Sequence, residues 1–417
     1  MSSLAEQNVE TEKKEPGRIE FSFPLLTIRT KIFGGVFDRL GSLRISRLIG
    51  WIALIIVPIV AAVGLYLLCG SLIALLWTPG ASEAASELGL TSYLLLPGIN
   101  PILPVVYGWL AIICAIVVHE GAHGIIARNR GLRVKSSGLL FFLVIPIGAF
   151  VDVDEEQIAK AKPKDSLRVM AAGVGGNIVV AVACLLVVLV IVNGLTPLVN
   201  GVYVSTVVEG MPAEAAGLLP KDVFVSVDNM SIANVDELTA FLNTTSPGET
   251  IQVTVTRGTD WKQRFSTYVT LTEGENGTVM GVHVANLATK ELKSLYGNVR
   301  LDTLAIYMFP PSIYPYYVPF SDSMSPFYTS PLGAQWPVYA NLFFWLWFIN
   351  VNLAVFNALP IYPLDGGRIF NITLKSALGK KLSEKTITRI TIAVTIAIVL
   401  LLLLIILIPP ITRSIFS

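Results

Sequence analysis

The charge-free apolar run from Leu48 to Ser82 limits the fold of this chain more than any other stretch. It exceeds the ~20 residues that a helix needs to cross a bilayer. Further apolar runs follow at about Pro101–Arg128, Val169–Val192, Pro337–Leu359 and Ile390–Ile408. With 53% hydrophobic and 14% charged residues, the composition departs from a soluble average. These features predict an α-helical polytopic membrane protein with about five main spans. A net charge of +1 gives nothing to recruit nucleic acid. Cys69, Cys114 and Cys184 each lie in an apolar run, where they read as small core residues.

Loop charges orient the spans. Residues 1–47 divide into a polar tail, Met1–Gly17, and a basic amphipathic stretch, Phe21–Arg47. The stretch reads either as an interfacial helix on the cytoplasmic leaflet or as the basic flank of the first span. The loop from Thr78 to Asn100 carries Glu83 and Glu87 but no Lys or Arg, which places it outside. Arg128, Arg130, Arg133 and Lys135 return the second span to the cytoplasm, and Lys160, Lys162, Lys164 and Arg168 open the third there. Lys375, Lys380, Lys381 and Lys385 mark the cytoplasmic loop before the fifth.

Three regions break this pattern. Gly138–Val153 is rich in β-formers but is interrupted by Pro146 and Gly148. It is too short to span and reads as a membrane-associated β-hairpin or re-entrant loop, covered by protein or lining a polar cavity. Residues 200–287 alternate as strands at Val202–Val204, Val223–Val227, Ile251–Val255 and Tyr268–Leu271, with helices expected at Pro212–Ala216 and Val235–Asn243. This is an extracytoplasmic α+β module, inserted between an N-terminal membrane part (48–199) and a C-terminal one (337–417). Residues 288–336 form a Pro- and aromatic-rich segment expected at headgroup level.

The second span ends in Val118-His119-Glu120-Gly121-Ala122-His123. On a helix, His119 and His123 project from one face, so both imidazoles can bind one Zn²⁺ while Glu120 reaches a water. The loop charges put this pair in the cytoplasmic half of its span. The fourth span brings Asp365 to the same depth, on backbone broken by Pro360 and Pro363. A hydrolytic zinc site takes three protein ligands and an open position, and His119, His123 and Asp365 make that set, one ion per chain. Asn177, polar within the third span, is expected to face the protein interior.

Together His119-Glu120-Gly121-Ala122-His123, Gly173-Val174-Gly175-Gly176-Asn177 and Asn357-Ala358-Leu359-Pro360-Ile361-Tyr362-Pro363-Leu364-Asp365-Gly366-Gly367 resemble the site-2 protease family of intramembrane zinc metalloproteases. The segment Pro146–Val151 is similar to that family's membrane-embedded β-loop, and 200–287 resembles a PDZ domain, with Lys221 at a position usually held by glycine. The resemblance implies cleavage of a transmembrane segment of another membrane protein, commonly after a first cut, within the lipid bilayer. It also implies a PDZ-like module that takes a peptide C-terminus or excludes bulky substrates. Glu120 is then the general base, and Asn177 and Asn357 hold substrate backbone or oxyanion. The alternatives are a membrane-anchored PDZ scaffold with a non-catalytic metal site, and another HExxH membrane endopeptidase.

Overall fold

The computed structural model describes residues 19–143, 145–275, 277–300, 303–308 and 310–416, so the expected tail Met1–Gly17 lies outside the described residues. The chain divides into two compact units, residues 1–182 with 346–417 and residues 183–345. A short helix, α1 (Gly34–Gly41), precedes the spans. Among the described residues, five helices are long and apolar enough to cross a membrane. They are α2 (Arg44–Trp77), α3 (Val105–Asn129), α4 (Pro163–Asn193), α5 (Trp336–Ala358) and, after the shorter α6 (Asp365–Leu378), α7 (Glu384–Phe416).

In the first unit, the helices meet through small residues and turn large apolar ones outward. Ile55, Ile59 and Tyr66 of α2 and Ile396, Leu400 and Leu404 of α7 are exposed, as a lipid-facing surface requires. Where α2 meets α4, a Cβ on Gly175 would stand 2.4 Å from the Cβ of Ala53. Such close approach is how helices gain van der Waals contact without a hydrophobic driving force. On α3 the buried stripe runs Gly108, Ala111, Ala115, His119, His123, so the face that packs against protein also carries the histidines. Gly131, at φ +77°, ends the helix, and Leu132 N–H closes the turn on the Ala127 carbonyl.

The N-terminal stretch departs from the helical expectation. Residues 19–30 form two strands, β1 (Ile19–Ser22) and β2 (Leu25–Thr30), which join β3 (Val134–Phe142) and β4 (Ile145–Val153) in the order β1–β2–β3–β4. All neighbours are antiparallel, with Leu25 opposite Phe142 and Thr30 opposite Ser137. Pro24 is unfavourable inside a helix, and β3 offers an open edge that β2 satisfies. The two hairpin tips are tied by the Leu143 N–H donating to the Pro24 carbonyl at 2.8 Å. Only α1 remains of the expected amphipathic helix, fastened to α3 by the Arg128–Asp38 ion pair and by Asn129 Nδ2 donating to the Gly41 carbonyl. β4 is the last strand of the sheet, so its outer edge is unpaired by any described strand.

The second unit holds the α+β domain. Its antiparallel sheet contains β5 (Gly201–Val207), β6 (Val223–Val227), β7 (Thr250–Arg257), β8 (Gln263–Thr270) and β9 (Val282–Leu287), in the order β8–β7–β6–β5–β9. Alternating residues such as Val202, Val204, Val253 and Val255 are fully buried in one core. The helix Val235–Leu242 is capped by Asn234, whose side chain accepts from the Glu237 N–H while Glu237 accepts from the Ala233 N–H. Buried Asp222 is held by Arg257 through Nε at 2.9 Å, and the same guanidinium lies 3.9 Å from the centroid of the Phe265 ring. Lys221 takes φ +75°, the left-handed conformation that explains why glycine suits this position.

The described part of 301–336 buries some of its large side chains and exposes others. Tyr307, Val318, Phe320 and Phe327 are fully buried, while Tyr314, Tyr316 and Tyr317 stay exposed. Phe327 stacks on Trp261 at 4.6 Å and meets Tyr203 edge-on at 5.4 Å. Through these rings the segment packs as a layer on the α+β domain.

Candidate metal centre

Three donor atoms converge in the first unit. His119 Nε2 and His123 Nε2 are 3.3 Å apart, and Asp365 Oδ2 lies 3.1 Å from each. Both histidines are buried, one turn apart on α3. Asp365 reaches them from the first turn of α6. That turn can lie against the broken backbone after α5 only because two glycines follow the aspartate. A Cβ on Gly366 would be 2.2 Å from the Ala358 carbonyl oxygen, and one on Gly367 would be 2.4 Å from the Ile361 carbonyl carbon. The break itself is anchored by Tyr362 N–H donating to Thr395 Oγ1 at 3.0 Å.

The donor set fits a tetrahedral cation. Zinc bonds of ~2.0–2.2 Å at tetrahedral angles place ligand atoms roughly 3.3–3.6 Å apart, close to the observed triangle. His123 Nδ1 lies 2.7 Å from the Val169 carbonyl, an acceptor only, so this nitrogen carries the proton and Nε2 turns a lone pair to the centre. Asp365 Oδ2 is buried without a hydrogen-bond partner. Lone pairs facing one another in a buried site repel unless a cation lies between them. Room is made by Gly173 of α4, where a Cβ would come within 2.5 Å of His123 Nε2 and 2.6 Å of His119 Nε2.

A cavity of about 540 Å³ contains this triangle. Its lining includes Glu120, Phe150 and Val151 of β4, Asn357, and Arg29 of β2. Glu120 Oε2 accepts the Val151 N–H at 3.0 Å, which ties the carboxylate to the edge strand. Glu155 enters the cavity from the helix Glu155–Lys160, capped by Asp154. The Gln157 N–H and nearby Lys135 hold the Asp154 carboxyl below its usual range.

Asn357 and Asn177 part company here. Asn357 lines the cavity, with Nδ2 donating to the Leu353 carbonyl at 3.0 Å. Asn177 is fully buried, donates to the Ala115 carbonyl at 3.2 Å, and is not among the lining residues. The roles of Gly173, Val169 and Arg29 were not read from sequence. Gly173 carried a partial signal, as one of several small residues opening α4, whereas a backbone carbonyl leaves none.

The profile of peptidase family M50 matches residues 107–403. The chain is 25% identical over 351 residues to an uncharacterized protein of Methanocaldococcus jannaschii, covering 82% of this chain and 76% of that one. It is 28% identical over 321 residues to a Synechocystis protein provisionally named a zinc metalloprotease, covering 67% and 86%. A chloroplastic membrane metalloprotease of Arabidopsis thaliana is 26% identical over 323 residues, covering 64% and 69%. Among solved structures, the PDZ domain of an SdrC-like protein from Listeria monocytogenes is similar to 23% of this chain over 94% of its own length, at 21% identity and TM-score 0.19.

Proposed function

Because the chain belongs to peptidase family M50, we propose that it is a zinc metalloprotease that hydrolyses peptide bonds within or near transmembrane segments of other membrane proteins, as a step of regulated intramembrane proteolysis. The observation that carries this reading is the triangle of His119, His123 and Asp365 beside Glu120, between helices long enough to span a bilayer.

His119, His123 and Asp365 hold one Zn²⁺ per chain. When bound, the ion supplies Lewis acidity, which lowers the pKa of a water toward ~7 and polarises a carbonyl. Glu120 takes the proton of the attacking water and returns it to the leaving amine. Its bond from Val151 N–H keeps one carboxylate oxygen fixed, leaving the other for the proton. Asn357 uses one amide hydrogen on its own helix, which leaves a second for a substrate carbonyl. Asn177 ties α3 to α4.

A helical span hides its peptide bonds in its own hydrogen bonds, so it must unwind before hydrolysis. The outer edge of β4, unpaired by any described strand though its Val151 N–H is given to Glu120, offers replacement partners to an extended substrate strand. Water reaches the site through a neighbouring cavity of about 480 Å³ that shares Glu155, Ile158, Met170 and Arg368 with the first. The N-terminus and the site's half of the membrane are cytoplasmic, and the α+β domain lies outside, where the edge of β9 takes a peptide C-terminus. A cysteine at Ser231 should then react with an impermeant reagent from outside and one at Ser376 from inside; reaction of both from one side removes this orientation. For the chemistry, purified protein should cut a membrane-spanning substrate in detergent, lose that activity to a chelator and regain it with Zn²⁺. Cleavage indifferent to both treatments would refute the reading.

A further inference from the structure

The wall of the cavity opposite the helices includes a residue from outside the family-matched region. Arg29 belongs to β2, which precedes residues 107–403, yet it lines the same cavity as Glu120 and the three donors. Sheet register explains how it gets there. Arg29 is opposite Gly138, and Gly138 is opposite Phe150, so the three form one row across β2, β3 and β4. Any Cβ on Gly138 would stand 2.6 Å from the Phe150 ring. Without one, the ring lies across β3 and the Arg29 guanidinium sits over it, 5.0 Å from the centroid.

This guanidinium has donors to spare. Its ion pair is with Glu20 at 3.6 Å, and the Glu20 side chain is 48% exposed, so the pairing is weak and screened by solvent. Arg29 Nε is buried without a hydrogen-bond partner. The other cation of the cavity wall is more committed: Arg368 donates through Nε to the Pro363 carbonyl and also meets Glu155 at 3.8 Å. A planar fork over an aromatic ring, in the wall of a cavity and paired weakly with Glu20, matches a carboxylate.

We propose that Arg29 binds a carboxylate of the substrate polypeptide, so that the N-terminal strand sets a preference for an acidic group near the scissile bond. The proposal rests on the protease reading. The carboxylate is either an Asp or Glu side chain or the free end of the chain, and both present the same group to the fork. Its partner strand lies along β4, within reach of Phe150 and Arg29, and the cation fixes how far that strand advances past the metal centre.

The test is a set of membrane-spanning substrates cut by the zinc-loaded, full-length protein. Each carries Asp, Asn or Lys at one position within a few residues of the cut bond, and a further pair ends in a free or an amidated C-terminus. In the wild type, one Asp position, or the free C-terminus, should raise kcat/KM at least about tenfold over its neutral counterpart. Arg29→Gln should bring that ratio near one, Arg29→Glu should favour Lys at the same position, and Arg29→Lys should keep part of the preference. Bound zinc, measured for each variant, reports whether the membrane part has folded. Which pair responds tells side chain from chain end. A wild type that cuts all neutral and acidic substrates alike, or a preference that survives both Gln and Glu, overturns the proposal and leaves the protease reading intact. A wild type that cuts none of them defeats the protease reading itself, and the proposal with it.

Discussion

Replacing Glu120 by Gln should lower kcat on a membrane-spanning substrate by about 10²–10⁴-fold and leave bound zinc unchanged. The two side chains have nearly the same shape, and a Gln carbonyl can still accept the Val151 N–H that now holds Glu120 Oε2. The tie between α3 and β4 is therefore kept. What is lost is the capacity to take a proton from water. Single-turnover cleavage with a metal assay on the same sample separates the two outcomes. A variant as fast as the wild type would make Glu120 a structural tether, and the scaffold reading would then gain ground.

Asp365→Ala should have the second large effect, a fall from one zinc per chain to well below one after dialysis against a weak chelator, with activity lost in parallel. Asp365 Oδ2 closes the triangle with His119 and His123, and two imidazoles alone leave a site with half its tetrahedral ligands. The fold should tolerate the change. A carboxylate in the first turn of α6 contributes only ~0.3–1 kcal/mol through the helix dipole, and Gly366 and Gly367 still seat that turn against the backbone of 358–362. Size-exclusion elution should therefore match the wild type. Full zinc retention in this variant would remove Asp365 from the ligand set.

The spans were the most legible part of the chain, because the bilayer demands long apolar segments and those need no knowledge of their neighbours. The histidine pair was legible for a related reason: its geometry is local to one helix. Asp365 lies 242 residues beyond His123, yet loop charges placed it at a comparable depth, and the structure brings its Oδ2 within 3.1 Å of both rings. The N-terminal strands were not legible. Residues 21–40 have helix-like spacing of apolar side chains, and pairing with β1 and with β3, the latter more than a hundred residues away, makes Leu25–Thr30 a strand. Arg29 was hidden with them, since its place at the cavity depends on that register and on the missing side chain of Gly138. The same limit applies to Gly173, whose importance lies in the two rings it makes room for.

If the His119–His123–Asp365 centre acts on membrane spans, the position of the cut bond shows it most directly. Both fragments of a substrate carrying one span, cut by zinc-loaded protein in detergent, can be identified by mass spectrometry. A zinc-dependent cut is expected inside the apolar segment or within a few residues of its cytoplasmic end, and none with Glu120→Gln. Cuts confined to soluble loops, or cuts that persist once zinc is stripped, would contradict it.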